Sequence, residues 1–157
     1  MENELLFSAI RDGDVQAVKA LIKKHPEWIN TKDQRGSTPL LLATYYGQEE
    51  IVEFVLSNKP DLDLQDGSGN TALMGVCFKG YPQVAEMLID AGASINIQNF
   101  NGATALIYAA TFNQKQIVAL LITNGADTSI KDSRGQTAAD HAKMQGSKEI
   151  FDLIVAH

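Results

Sequence analysis

Apolar residues along this chain come in short blocks separated by polar turns. In one block Ile51, Val52, Val55 and Leu56 share one face at helical spacing, which predicts a helix from about Gln48 to Ser57. Its last apolar pair recurs as Leu88-Ile89, Leu121-Ile122 and Ile154-Val155, 33 residues apart each time. A shorter helix is predicted just upstream. Thr38 suits an N-cap, and Pro39 suits the first helical position, where its missing N–H is no loss. That helix runs to Tyr46, and Gly47 breaks it in the left-handed region. Before it, Asp33-Gln34-Arg35-Gly36-Ser37 reads as a turn. After the second helix, Asp61-Leu62-Asp63-Leu64-Gln65 alternates apolar and polar residues as an extended piece does.

One unit is therefore turn, helix, helix, loop, and the unit repeats. Gly36, Gly69, Gly102 and Gly135 are spaced by 33, as are Thr38, Thr71, Thr104 and Thr137, and as are Gly47, Gly80, Asn113 and Gly146. Three unrelated residue classes holding one step is the signature of a repeat array. No unit can cover its own apolar face, so neighbours must stack.

These residues resemble the ankyrin repeat. The pattern reads Asp33-x-x-Gly36-x-Thr38-Pro39-Leu40, then Ala43, Gly47, Ile51-Val52 and Val55-Leu56. It returns with Asp66, Gly69, Thr71, Leu73, Gly80, Leu88-Ile89 and Gly92-Ala93, and again from Gly102 to Asp127. The resemblance covers nearly the whole chain. It implies a single all-α domain over 1–157, a solenoid of stacked helix-turn-helix units with short hairpin-like turns. The units fall at about 1–32, 33–65, 66–98, 99–131 and 132–157. The opening unit carries one extra residue around Lys24-His25-Pro26, because Gly13 to Gly47 is 34. The last unit carries polar helix residues such as Lys143, Gln145, Lys148 and Asp152, as a capping repeat requires. The five units are read as a complete module.

Three departures from the family pattern carry expectations. The position after Thr-Pro-Leu, commonly histidine in the family, holds Leu41, Met74, Ile107 and Asp140, so apolar packing should partly replace a polar tie between repeats. Asn113 stands for a glycine and tolerates positive φ. Lys59 stands where Gly92 and Gly125 end their helices and precedes Pro60. A following proline favours extended backbone, so this helix end should close differently from its neighbours.

Composition narrows the function. The formal net charge of -6 has the wrong sign for contact with nucleic-acid phosphates or an anionic membrane. The single cysteine, Cys77, can form no internal disulfide and reads as an inert buried thiol. No apolar run approaches a membrane span of ~18 residues, and Met1-Glu2-Asn3-Glu4-Leu5 lacks the features of a signal peptide. A cytoplasmic protein is expected.

No catalytic constellation emerges. His25, His141 and His157 are spread along the array, which argues against a shared metal site. The glycines follow the repeat period and form no phosphate-binding loop. Pairs such as Glu49-Glu50 and Asp61/Asp63 read as solvated faces and turns. No enzyme activity, metal or cofactor is expected.

The aromatic residues are distributed differently. Family resemblance puts partner binding on the concave face, from turn tips and first-helix ends. Mapped onto this chain, those positions hold five of the ten Tyr and Phe residues: Tyr45, Tyr46, Phe78, Phe100 and Phe112. Arg35, Lys79 and Arg134 rim them, a composition suited to a protein-binding hot spot. The expected function is binding of a partner protein through this face. Two readings stand beside it: self-association, and a small-ligand or enzymatic pocket between repeats. The bland alternative for the rings is packing between repeats. Trp28 reads as a lid over the exposed end of the core.

Overall fold

A computed structural model describes residues 3–157; Met1 and Glu2, the start of the N-terminal segment, lie outside them. Ten α-helices follow in pairs: α1 (Glu4–Asp12) and α2 (Val15–Lys24), α3 (Pro39–Tyr45) and α4 (Glu49–Ser57), α5 (Ala72–Lys79) and α6 (Pro82–Asp90), α7 (Ala105–Thr111) and α8 (Lys115–Thr123), α9 (Ala138–Met144) and α10 (Lys148–Val155). A short 3-10 helix, Pro26–Asn30, follows α2. The fold is an all-α solenoid, and among the described residues there is no strand.

Helix starts follow the threonines. The hydroxyls of Thr38, Thr71, Thr104 and Thr137 each accept from the backbone N–H three residues on. This satisfies a donor that a helix N-terminus otherwise leaves bare. At Thr137 the bond is reciprocal, because Asp140 accepts from the Thr137 N–H.

Packing explains the shape. The first helices bury small residues, among them Ala43, Ala72, Ala105, Ala109, Ala110, Ala138 and Ala142. Small side chains let α3, α5, α7 and α9 approach closely, and they pack more extensively than the second helices do. The stack therefore curves with the first helices and turns on its inner side. Leu41, Met74 and Ile107, which replace the family's histidine, are buried in that core.

Polar ties between repeats lie in the turns and loops. The backbone N–H groups of Gly67, Phe100 and Ser133 donate to the carbonyls of Arg35, Ser68 and Asn101, one turn back. Asn30, Asp63 and Asn96, at intervals of 33, accept from the backbone N–H groups of Asp61, Ser94 and Asp127. The segment Asp61–Gln65 thus ties repeats through side chains and makes no strand.

Two expectations about helix ends are decided. Asn113 takes φ 58°, as foreseen. Lys59 does not close its helix differently: its φ is 54°, in the left-handed region, and its N–H donates to the Leu56 carbonyl. Gly92 and Gly125 make the same bond to Ile89 and Ile122. The shared closure imposed by stacking overrides the local preference before Pro60. The helix that does end differently is α2, where His25 takes φ −129° and leads into the 3-10 turn. Trp28 in that turn stacks on His25 with ring centroids 3.9 Å apart and packs on the core, half-buried.

A lysine held at positive φ is strained by about 1 kcal/mol. Lys59→Gly should therefore stabilise the protein and raise Tm by roughly 2–4 °C. Scanning calorimetry of the two proteins checks this, and an unchanged or lower Tm would contradict the closure described.

Candidate functional site

The inner face begins with the turns. Each is built on one side chain that accepts two backbone N–H bonds through Oδ1. Asp33 accepts from Arg35 and Ser37, Asp66 from Ser68 and Asn70, Asn99 from Asn101 and Ala103, and Asp132 from Arg134 and Gln136. These bonds hold the turn tips in one conformation.

The outer atom of each turn residue meets its own environment. Arg11 Nη2 lies 3.6 Å from Asp33 Oδ2. Asn99 Nδ2 donates to the Tyr108 hydroxyl and to Asn70 Oδ1, at 2.9 Å each. His141 Nε2 lies 2.7 Å from Asp132 Oδ2. Burial pushes the Asp132 carboxyl up. Hydrogen bonds from His141 and from the Gln136 and Arg134 N–H groups outweigh it and leave it below the usual carboxylate range.

The rings stand on this frame. Tyr45 and Tyr46 meet edge to face with centroids 5.7 Å apart, and Tyr45 lies nearly parallel to Phe78 at 6.5 Å. Phe78 meets Phe112 edge to face at 4.8 Å, and Phe112 reaches Tyr108 at 6.0 Å. The four rings Tyr45, Tyr46, Phe78 and Phe112 are nonetheless 40–45% exposed. They form a continuous ladder across three repeats, open to solvent. Tyr45 and Tyr46 lie side by side in sequence because the first falls on the last turn of α3 and the second caps it.

The remaining positions sit around this ladder. Phe100 is 72% exposed on its turn tip, and its backbone is bonded to the preceding turn. Arg35 and Arg134 are exposed on theirs. Lys79 places its ammonium 4.9 Å from the Tyr45 ring centroid. Tyr108 was not among the positions singled out in the sequence. It lies mid-helix rather than at a first-helix end, and only its contact with Phe112 joins it to the ladder.

A cavity of about 490 Å³ opens in the same face between repeats, walled by Tyr45, Phe78 and Tyr108 with Asp66 and Gly75. The other titratable groups have structural places. Cys77 is buried in the core, and burial pushes its thiol far up. His25 stacks on Trp28, and His157 Nδ1 lies 3.1 Å from the Leu153 carbonyl. Among the described residues, no three His, Cys, Asp or Glu side chains gather as a metal site requires. No helix of the described residues is long and apolar enough to cross a membrane.

The depressed Asp132 value gives stability a pH dependence. The contribution of the ionised carboxylate is complete above the ordinary carboxylate pKa, about 4, and is lost as pH falls through the lower folded-state value. Asn99 shows that an amide can hold the same turn. The advantage of wild type over Asp132→Asn should thus be full at pH 5–7 and shrink in acid. Urea titrations from pH 7 to pH 2 check this, and a constant difference would contradict it.

Comparison with known proteins agrees with this architecture. The family model described as ankyrin repeats (3 copies) matches residues 5–99 and 73–157. A BTB/POZ domain-containing protein 3 from Schizosaccharomyces pombe is 42% identical over 53 residues, covering 34% of this chain and 10% of that protein. An ankyrin repeat and SAM domain-containing protein 6 is 29% identical in Danio rerio and 32% in Rattus norvegicus, each over 60 residues. Those matches cover 38% of this chain and 8% and 7% of the two relatives. The chain therefore aligns with a tenth or less of the length of these relatives. With the family model spanning the described helices from α1 to α10, the chain belongs to the ankyrin-repeat family, whose repeats are generally protein–protein interaction modules.

Proposed function

We propose that this chain binds a partner protein through the concave face formed by its turn tips and first helices. The observation that carries this reading is the ring ladder: Tyr45, Tyr46, Phe78 and Phe112 touch one another yet stay 40–45% exposed. A contiguous apolar patch is a liability on a protein that meets no partner. Each ring can bury ~150–250 Å² on binding. Arg35, Lys79, Phe100 and Arg134 extend the contact at the rim. Because the turns are bonded to one another, the face is preformed, and little conformational entropy is lost when a partner docks. The activity is binding and not catalysis. The whole of residues 1–157 acts as one unit of five repeats, in the cytoplasm, where a lone buried thiol meets no oxidising chemistry.

Phe78→Ala and Tyr46→Ala should each weaken partner binding by ~1–3 kcal/mol and leave thermal unfolding nearly unchanged. Affinity capture from the source cell with wild type and a Tyr45/Tyr46/Phe78 triple-alanine control, followed by titration of the recovered partner, measures this. Light scattering across concentration separates a second copy from a different partner. Retained binding with an equal loss of Tm would make the rings an extension of the core.

A further inference from the structure

In the third repeat a glycine interrupts a column of side chains that the other repeats fill. Nine residues after the turn residues Asp33, Asp66, Asn99 and Asp132 stand Leu42, Gly75, Tyr108 and His141. Tyr108 and His141 each reach back to their own turn residue, at 2.9 and 2.7 Å. Gly75 sends nothing back. Tyr45 occupies the place that Arg11 holds one repeat earlier, two residues before the helix-ending glycine. It offers a ring where Arg11 offers a guanidinium to Asp33. Among the described residues, Asp66 Oδ1 is thus engaged by its turn, while Oδ2 meets no side-chain donor. Asp33 and Asp132 each have one on Oδ2, from Arg11 and His141, and at Asn99 the outer atom is an amide nitrogen that itself donates to Tyr108 and Asn70.

Nothing in the backbone demands glycine at position 75. It lies inside α5, and a Cβ there would meet only Tyr45 Cδ1, at an ordinary 3.8 Å. A glycine inside a helix weakens it by roughly 0.5–1 kcal/mol relative to alanine. Its effect here is space: the cavity of about 490 Å³ has Gly75 in its wall, Asp66 beside it, and the rings of Tyr45, Phe78 and Tyr108 around it.

We propose that this cavity takes an arginine side chain of the partner protein, its guanidinium on Asp66 Oδ2 and its stem and plane against the rings. The occupant would do at Asp66 what Arg11 does at Asp33. Its chemistry is that of the walls. Aromatic faces attract cations, and the structure already seats one, the Lys79 ammonium, on Tyr45. A carboxylate end would face the same ring quadrupoles and the bare Asp66 oxygen, both repulsive to it. Two cations line the cavity as well: Arg11, held 3.6 Å from Asp33, and the exposed Arg35, which favours an acidic residue flanking the arginine. The planar, forked guanidinium matches a carboxylate between rings better than an ammonium does. This proposal rests on the concave-face reading and names the chemistry of its partner.

The test pans a random twelve-residue peptide library on wild type, Gly75→Leu, Asp66→Asn and the Tyr45/Tyr46/Phe78 triple-alanine variant. The first two variants keep their fold by precedent, since Leu42 fills the equivalent helix position and Asn99 holds the equivalent turn. The expected result is peptides with one fixed arginine. Their affinity should fall about tenfold or more on Asp66→Asn and on Gly75→Leu, and on replacing that arginine by citrulline. Peptides that lack a fixed basic residue, or carry a fixed glutamate, and that survive Gly75→Leu would overturn the proposal. If they are still lost on the triple-alanine variant, the concave-face reading stands alone. Peptides indifferent to all three variants, or no enrichment at all, would count against both.

Discussion

Everything in this molecule depends on one constraint: a 33-residue helix pair cannot bury its own apolar face. Ile51, Val52 and Val55 of α4 are fully buried only because neighbouring repeats lie against them, and the same holds along the array. Stacking supplies the core, and the alanines of the first helices set its curvature. The loops then add a second set of ties at the same interval. Backbone bonds link each turn tip to the one before it, and Asn30, Asp63 and Asn96 cap the following loop. Apolar packing and turn bonding both tie each repeat to the next, so the inner face has few ways to deform.

A preformed face changes what exposed rings mean. On a flexible segment, Tyr45, Tyr46, Phe78 and Phe112 would collapse onto one another to escape water. Here they are anchored on three successive helix ends whose positions the stack sets, and the rings meet only at their edges or across a gap. The nearly parallel Tyr45 and Phe78 rings line one cavity with Gly75. The same rigid frame that keeps the rings exposed thus keeps a recess open beside them, with an Asp66 oxygen that, among the described residues, no side-chain donor engages.

Much of this was legible in the sequence because the period repeats each signal several times. Thr38, Thr71, Thr104 and Thr137 named the helix starts, and each proved to be a side-chain cap. The same alignment placed the rings at first-helix ends but left open whether they face solvent or pack between repeats. Lys59 misled because the rule for a residue before proline is local, while the closure of α4 is set by contacts with adjacent repeats. The 3-10 turn after α2 lay where the extra residue was read, but its form depended on Trp28 finding His25. The notch at Gly75 was in principle readable: aligning Leu42, Gly75, Tyr108 and His141 exposes the missing side chain. What the alignment lacks is the knowledge that this column reaches the turn residue nine positions earlier. Tyr108 escaped notice for the same reason, since its membership in the ladder is a matter of distance and not of sequence position.

The central claim is that stacking and turn bonds together hold the inner face in one shape. Native-state hydrogen exchange at the Gly67, Phe100 and Ser133 amides, which cross from each turn to the one before it, tests it most directly. The account predicts protection at all three approaching that of the helix cores, with exchange only through larger unfolding events. Exchange at the rate of a free peptide, while the helices stay protected, would show turns that move independently and a face with no fixed form.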